Sequence, residues 1–413
     1  MFKKGLLLIA IIAFSCSKTN VFNEDIQVVG TPSIKCTNGF AGHYACNDYD
    51  LLVHFSLEEL GVTGPNASVN DCWGWTDPNS GREYALIGTN EGVTFIEVSN
   101  PQEAVVLGTL KTRTKNSAWR DIKVNNSVAY IVSEAKGHGL QSFNLKKLTT
   151  VTETPVLFEA DNEYTVFGSA HNIIINENSN FAYVVGAKTL DGERFFYEGG
   201  PHFIDISSPF TPIDTGGYAK SAYSHDAQVI DYKGPDLEYI DREIFIGSNE
   251  NEITIIDVTD KKNPQKISSI TYPFIGYTHQ GWFTENLRYF LVGDELDERD
   301  FGVNSRTIIF DFTDLDNPKF HFEYEGPTPA IDHNGYVKGN LFYLANYTAG
   351  VRILDIADIE NKNISEIGFF DTFPKNNSTS FEGVWSVYPY FNSGNIIVSD
   401  SSNGFFLIRK SNT

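Results

Sequence analysis

Short apolar runs recur along the whole chain, broken by Gly, Asn, Asp and Pro. One type of run ends in an acid and then a turn. It reads GVTFIEVSNP at 92–101, HFIDISSP at 202–209, ITIIDVTDKKNP at 253–264, TIIFDFTDLDNP at 307–318 and VRILDIAD at 351–358. Weaker copies are GLQSFNL at 139–145 and GFFLIRK at 404–410, which makes seven. Each copy follows a second run, such as YALIGT at 84–89 or YFLVGD at 289–294. Most precede a more exposed run, such as VVLGTL at 105–110. The runs are rich in β-branched and aromatic residues, which suit a pleated surface. Helical periodicity is nearly absent; the best helical stretch is short, at 56–61.

Before these runs lie strands opened by Trp73, Trp119, His171, His225, His279, His333 and Trp385. Four short strands per unit of roughly 50 residues describe a β-propeller blade. The expected fold is therefore all-β: a β-propeller of seven four-stranded blades, with six as the alternative count. The last unit stops after its third strand, at Lys410. The run LLVHFSL at 51–57 precedes the first unit and supplies the missing outer strand. Closure of that kind removes two free sheet edges. The expected division is a cysteine-containing segment at 31–65 that carries this strand, then the propeller at 66–413.

Four of the strand openers are evenly spaced. His171, His225, His279 and His333 follow one another at intervals of 54 residues. Each is followed by a side chain that hydrogen-bonds or ligates: Asn172, Asp226, Gln280 and Asn334. In a ring of blades, a polar pair at one point of every repeat converges on the axis.

Of 413 residues, 41% are hydrophobic and 14% aromatic, enough for a large core. Length alone allows two or three domains, but the repeat argues for one ring. The net charge of −22 opposes binding to nucleic acid and to anionic lipid headgroups. The acids are scattered, as on a well-solvated surface.

The chain opens MFKKGLLLIAIIAFSC. Two lysines, an apolar stretch and small residues read as a secretory signal over 1–15, too short to span a membrane. The final Ala13-Phe14-Ser15-Cys16 resembles a lipobox, with Cys16 as the lipidated residue and 16–30 as a flexible tether. The expected location is the outer membrane or cell surface, with membrane contact only through that anchor. In an oxidising compartment Cys36 and Cys46 are the natural disulfide pair, leaving Cys72 as a buried thiol beside Trp73. No CxxC spacing, GxSxG, HExxH, phosphate loop, dinucleotide fingerprint or EF-hand loop is present.

Several stretches resemble the choice-of-anchor B family, extracytoplasmic proteins with LVIVD-type repeats. They are CTNGFAGHYACNDYDLL at 36–52, DCWGWTDPNSGREYALIG at 71–88, THQGWFTENLRYFLVGDELDE at 278–298, DHNGYVKGNLFYLANYTAGVRILDI at 332–356 and GVWSVYPYFNSGNIIVSD at 383–400. The resemblance covers about Cys36 to Arg409, and Cys72 departs from its pattern. It implies a propeller-like surface protein held by an anchor and implies no particular activity.

In a propeller the first strand of each blade lines the channel. The loop leading into it opens on the same face as the loop between the second and third strands. The histidines should therefore share a face with the insertions at 188–200 and 294–306. Ligand-binding candidates there are His171, His225, Asp226, His279, Asp294, Glu295, Asp332, His333 and Tyr197. Three readings compete. The polar residues tie neighbouring blades together. Alternatively, His279, His333, Asp332 and Asp294 hold a divalent metal, calcium or zinc. Thirdly, His279 or His333 works with Asp294 or Glu295 in metal-assisted or acid/base hydrolysis, lactonase- or glycosidase-like. The tryptophans on first strands read as blade packing, and Tyr197 with its neighbours as ligand contact. The function expected first is a monomeric binding module for a protein or glycan outside the cell. The alternatives are a metal-dependent hydrolase and a structural or adhesive surface protein.

Overall fold

The structure, a computed structural model, describes residues 30–411. The signal segment, Cys16 and the tether as far as residue 29 lie outside the described residues. Seven antiparallel sheets stand in a ring, so the chain is an all-β, seven-bladed propeller. The inner strands are Val69–Thr76, Arg120–Asn125, Asn172–Asn176, Asp226–Asp231, Thr278–Phe283, Gly335–Lys338 and Val384–Tyr388. Each contacts the next, and the last contacts the first, which closes the ring. The alternative count of six is excluded.

Burial explains the order of strands within a blade. The second and third strands are apolar on both faces because each packs against a blade on either side; Tyr289–Asp294 is buried along its whole length. The outer strand meets solvent, so Lys319–Glu325 is mostly exposed. The core is correspondingly a set of inter-blade layers. Ile253, Ile255 and Tyr272 of the fourth blade meet Phe290, Ile308 and Phe310 of the fifth.

The seventh blade takes its outer strand from the N-terminal segment. Tyr49–Phe55 pairs antiparallel with Gly404–Lys410, as the apolar run at 51–57 predicts. Just upstream, Tyr44–Asn47 adds to the outer edge of the sixth blade, where Cys46 faces Phe370. The Cys36–Cys46 disulfide forms as expected, and Cys72 is a buried free thiol. The N-terminal segment thus holds two blades at once.

Two local expectations fail. Residues 56–61 form a turn rather than a helix; the α-helix among the described residues is Asp297–Phe301, inside the insertion of the fifth blade. Asp297 and Asp300 in its first turn complement the helix N-terminus. In the second blade a detour separates the third and outer strands. Within it Val156–Phe158 pairs parallel with the outer strand of the first blade, and Asn162–Tyr164 then completes the second.

Candidate functional site

One end of each inner strand carries two polar positions in sequence, and the pleat gives them different tasks. The second position is Asp71, Asp121, Asn172, Asp226, Gln280, Asn334 and Ser386, and it ties blades together. Asp71 accepts from the Ile122 N–H at 3.1 Å, Asp121 from Ile173 at 2.7 Å and Gln280 from Gly335 at 3.1 Å. Asn172 donates to Asp226 at 3.0 Å and Asn334 to Ser386 at 3.2 Å. The blade-fastening reading therefore holds for the residues after the histidines.

The histidines fasten blades at two places, His171 to Glu134 and His333 to the Trp385 carbonyl, but all four also line the axial cavity. The first position runs round the ring as Asn70, Arg120, His171, His225, His279, His333 and Trp385. The first and second blades thus contribute Asn70 and Arg120 here, not the expected Trp73 and Trp119. Neighbouring imidazoles lie face to tilted face: ring centres are 3.9 Å apart for His171–His225, 4.5 Å for His225–His279 and 4.4 Å for His279–His333. Together they form an arc around an axial cavity of about 320 Å³, lined also by Arg120, Glu295, Tyr347 and Trp385.

Glu295 reaches the arc from the loop between the second and third strands of the fifth blade. Its carboxylate lies 3.8 Å from His279 Nε2 and 3.6 Å from His333 Nε2. The Tyr347 hydroxyl donates to it at 3.1 Å. The imidazole separations are too long for hydrogen bonds. They are close to the roughly 3.4 Å between two ligands of one tetrahedral ion whose metal–ligand bonds are near 2 Å. One ligating atom each from His225, His279 and Glu295 all lie within 4.8 Å of one another.

Three of the imidazoles are held neutral and ready to ligate, whereas the carboxyl is held partly protonated. Burial pushes His225 and His279 well below the usual histidine range, reinforced by the neighbouring imidazoles. It takes His333 down to about 3, although Nδ1 donates to the Trp385 carbonyl at 2.5 Å. That bond fixes the tautomer and leaves the Nε2 lone pair facing Glu295. Among the described residues the Nδ1 atoms of His225 and His279 are buried without a partner. Burial lifts Glu295 to about 7. His171 differs: burial lowers it, but a 2.6 Å hydrogen bond with Glu134 outweighs this and raises it.

Beneath the arc, Lys123 lies 2.7 Å from Asp121 and 3.3 Å from Asp71. Burial pushes Asp71 well above the ordinary carboxylate range. Burial would raise Asp121 too, but Lys123 outweighs it and holds Asp121 low. Asp226 is lifted to about 7 by burial and by Asp121. Among the described residues Arg120 has no carboxylate partner. It donates to the Thr89 carbonyl at 3.2 Å and contacts His138 Nε2 at 3.1 Å, and burial lowers it to about 10.

His171, His225, Asp226, His279, Glu295 and His333 line the cavity; Asp294, Asp332 and Tyr197 do not. Asp294 accepts from the Tyr272 hydroxyl at 2.8 Å and from the Gly276 and Tyr277 N–H groups at 2.9 and 2.6 Å, so its oxygens are committed to the loop. Asp332 accepts from Ser305 and from Asn346. Tyr197 packs on His202, with ring centres 5.5 Å apart. The four-residue metal set expected from the sequence is thus not assembled; His279 and His333 are joined by His225 and Glu295 instead. Arg120 and Tyr347 are cavity residues that sequence reasoning missed.

No protein-family model matches the chain, and no curated protein matches it. Solved structures do. A crystallised structural-genomics protein from Lactobacillus plantarum aligns with a TM-score of 0.50 at 11% identity, covering 81% of this chain and 88% of that one. At that identity the likeness is one of fold.

Proposed function

We propose that the protein is an extracytoplasmic binding propeller. Its ligand site is the histidine-lined axial cavity, and a divalent transition metal held by His225, His279 and Glu295 mediates the contact. The observation that carries this reading is the convergence of three ligating atoms within 4.8 Å, two of them imidazole nitrogens. Neutral imidazole with one carboxylate suits zinc, manganese or iron and disfavours calcium, which takes oxygen ligands. His333 stands beside the set as a fourth ligand or as a contact for what the metal binds. The disulfide supports an oxidising compartment. The lipobox-like Cys16 and the resemblance to the choice-of-anchor B family support anchoring at the cell surface, with a protein or glycan as partner.

One observation favours hydrolysis as a second reading. In that reading Glu295 is not a ligand: a metal held by the imidazoles would leave its carboxylate, 3.8 Å from His279 Nε2 and 3.6 Å from His333 Nε2, free as a general base.

Metal content by mass spectrometry decides the matter, on the purified protein dialysed against zinc or manganese. The expected result is one equivalent bound, lost in a His225→Ala/His279→Ala variant whose circular dichroism is unchanged. Absence of bound metal from the parent protein would overturn the reading.

A further inference from the structure

The axial channel has a second chamber beyond the polar layer, opening at the opposite end. It measures about 750 Å³ and shares only Asn172 and Asp226 with the histidine cavity. Its two walls differ in character. One is aromatic: Trp73, Trp282, Tyr336, Tyr388 and Tyr390, contributed by the first, fifth, sixth and seventh blades. These rings meet edge to face, Trp282 on Tyr336 at 4.9 Å and Trp73 on Tyr388 at 5.1 Å. All five side chains border the chamber, and all but Tyr336 are only partly buried. The sequence reading of Trp73 and Trp282 as blade packing is therefore incomplete, because both are only half-buried.

The other wall is amide and carboxylate, with Gln228, Gln280, Asn176 and Asp231. The two glutamines are 8% and 3% exposed. Each has its oxygen engaged by the next blade: Gln228 accepts from the Phe283 N–H at 2.9 Å and Gln280 from Gly335 at 3.1 Å. These bonds fix which end of each amide is the nitrogen. The two NH₂ groups have no partner among the described residues, and both side chains line the chamber. Neither nitrogen is among the fully buried unpartnered atoms, so both are open to the chamber and available as donors to a ligand there.

We infer that this chamber binds a neutral saccharide of about two hexose units. A sugar has an apolar C–H face for the aromatic wall and hydroxyls for the amide wall. The volume lies within the range of small-molecule sites. A cationic ligand is disfavoured because Lys123 already stands 4.7 Å from the Trp73 ring centre and 2.7 Å from Asp121 at the inner end. A purely apolar ligand would leave the glutamine amides unpaired. The inference is independent of the metal reading, since no proposed metal ligand lines this chamber.

The test uses the intact protein against cellobiose, maltose and N,N′-diacetylchitobiose, with tetramethylammonium as the cationic probe. Saturation-transfer NMR and tryptophan fluorescence report binding. At least one disaccharide is expected to bind, about three- to tenfold more weakly in Trp282→Ala, with recovery in Trp282→Phe. Loss of disaccharide binding in folded His225→Ala/His279→Ala would place the sugar in the histidine cavity and overturn the inference. Thermal melts establish that each variant is folded. No saturation transfer from any of the three sugars, equal affinity in folded Trp282→Ala, or binding of tetramethylammonium alone would each overturn the inference.

Discussion

Glu295 stands 3.6 Å from His333 Nε2, across the boundary between the fifth and sixth blades, with no hydrogen bond joining them. Two facts make this gap informative. His333 is held in the tautomer that points a lone pair at the carboxylate, and Glu295 is lifted to about 7 by burial. The imidazole is neutral and ready to ligate, whereas the carboxyl must release a proton before a cation can bind between them.

Metal affinity should accordingly follow the ionisation of Glu295. The imidazoles of His225, His279 and His333 are depressed and stay neutral at working pH. Among the groups around the carboxylate, His171 and Arg299 favour its ionisation and Asp294 opposes it. Affinity is expected to rise about tenfold per pH unit up to pH 7 and then level off. In Glu295→Gln the affinity should be weaker and the step absent. Titration calorimetry at pH 6, 7 and 8 reads this directly; an equal slope in parent and variant would refute it.

The same carboxylate gives a stability prediction for the metal-free protein. Its folded pKa lies above its unfolded value. Its favourable contribution is therefore complete below about pH 4.5 and is lost as pH rises through 7. Glu295→Gln, neutral throughout, should gain stability relative to the parent between pH 5 and pH 8. Urea midpoints across that range test the sign.

Removing a fastener should have the opposite profile from removing a histidine. Gln280→Ala leaves the Gly335 N–H without its acceptor and should cost about 1–3 kcal/mol. It should weaken metal binding far less than His279→Ala does, because Gln280 does not line the histidine cavity. His279→Ala should abolish stoichiometric metal while shifting the urea midpoint less than Gln280→Ala. Equal destabilisation with equal metal loss would mean that the two rows are one structural unit.

The seven blades and the closing strand were legible because they rest on run length and apolar pattern, which survive in any context. The period of 54 placed the four histidines on one face for the same reason. Direction was harder to read. Asp294 and Glu295 are adjacent, as are Asp332 and His333, and each pair splits, one member to the axis and one into the loop. Adjacent residues on extended backbone point opposite ways, and the sequence does not say which way a loop turns. Arg120 was missed because the second blade is offset by one residue from the pattern set by Trp119. Tyr347 was missed because its role depends on Glu295, 52 residues away.

The insertion that delivers Glu295 is braced by buried charge. Arg306 forms a 2.8 Å pair with Asp297 and reaches Glu323 at 3.1 Å. Around them burial lifts Asp297 to about 6, Asp332 to about 7 and Glu298 to about 11. Arg306→Met should strand Asp297 as an unpaired buried acid and cost about 3–5 kcal/mol at pH 8. The cost should shrink toward pH 5, where the stranded acids take up protons. A pH-independent loss would assign it to side-chain packing instead.

Closure of the ring through the N-terminal segment sets where the fold opens first. The Cys36–Cys46 bridge holds the strand on the sixth blade, and the Cys36 N–H donates to Asp50 at 2.8 Å inside the closing strand of the seventh. The bridge closes a short loop, so its removal should cost about 2–3 kcal/mol. That loss is expected to be local before it is global. The closing strand lies at the outer edge of its sheet, where beyond Gly404–Lys410 it is met among the described residues by the isolated bridges of Thr31 to His54 and Ile34 to Leu51, whereas the inner strands lie at the centre of the ring. In a Cys36→Ser/Cys46→Ser variant, amide exchange should therefore accelerate first in 49–55 and 404–410. The inner strands around the histidines should keep parental protection, and metal binding should persist. Uniform acceleration across all seven blades would show instead that the ring opens as one cooperative unit, with the N-terminal segment contributing stability but no preferred point of failure.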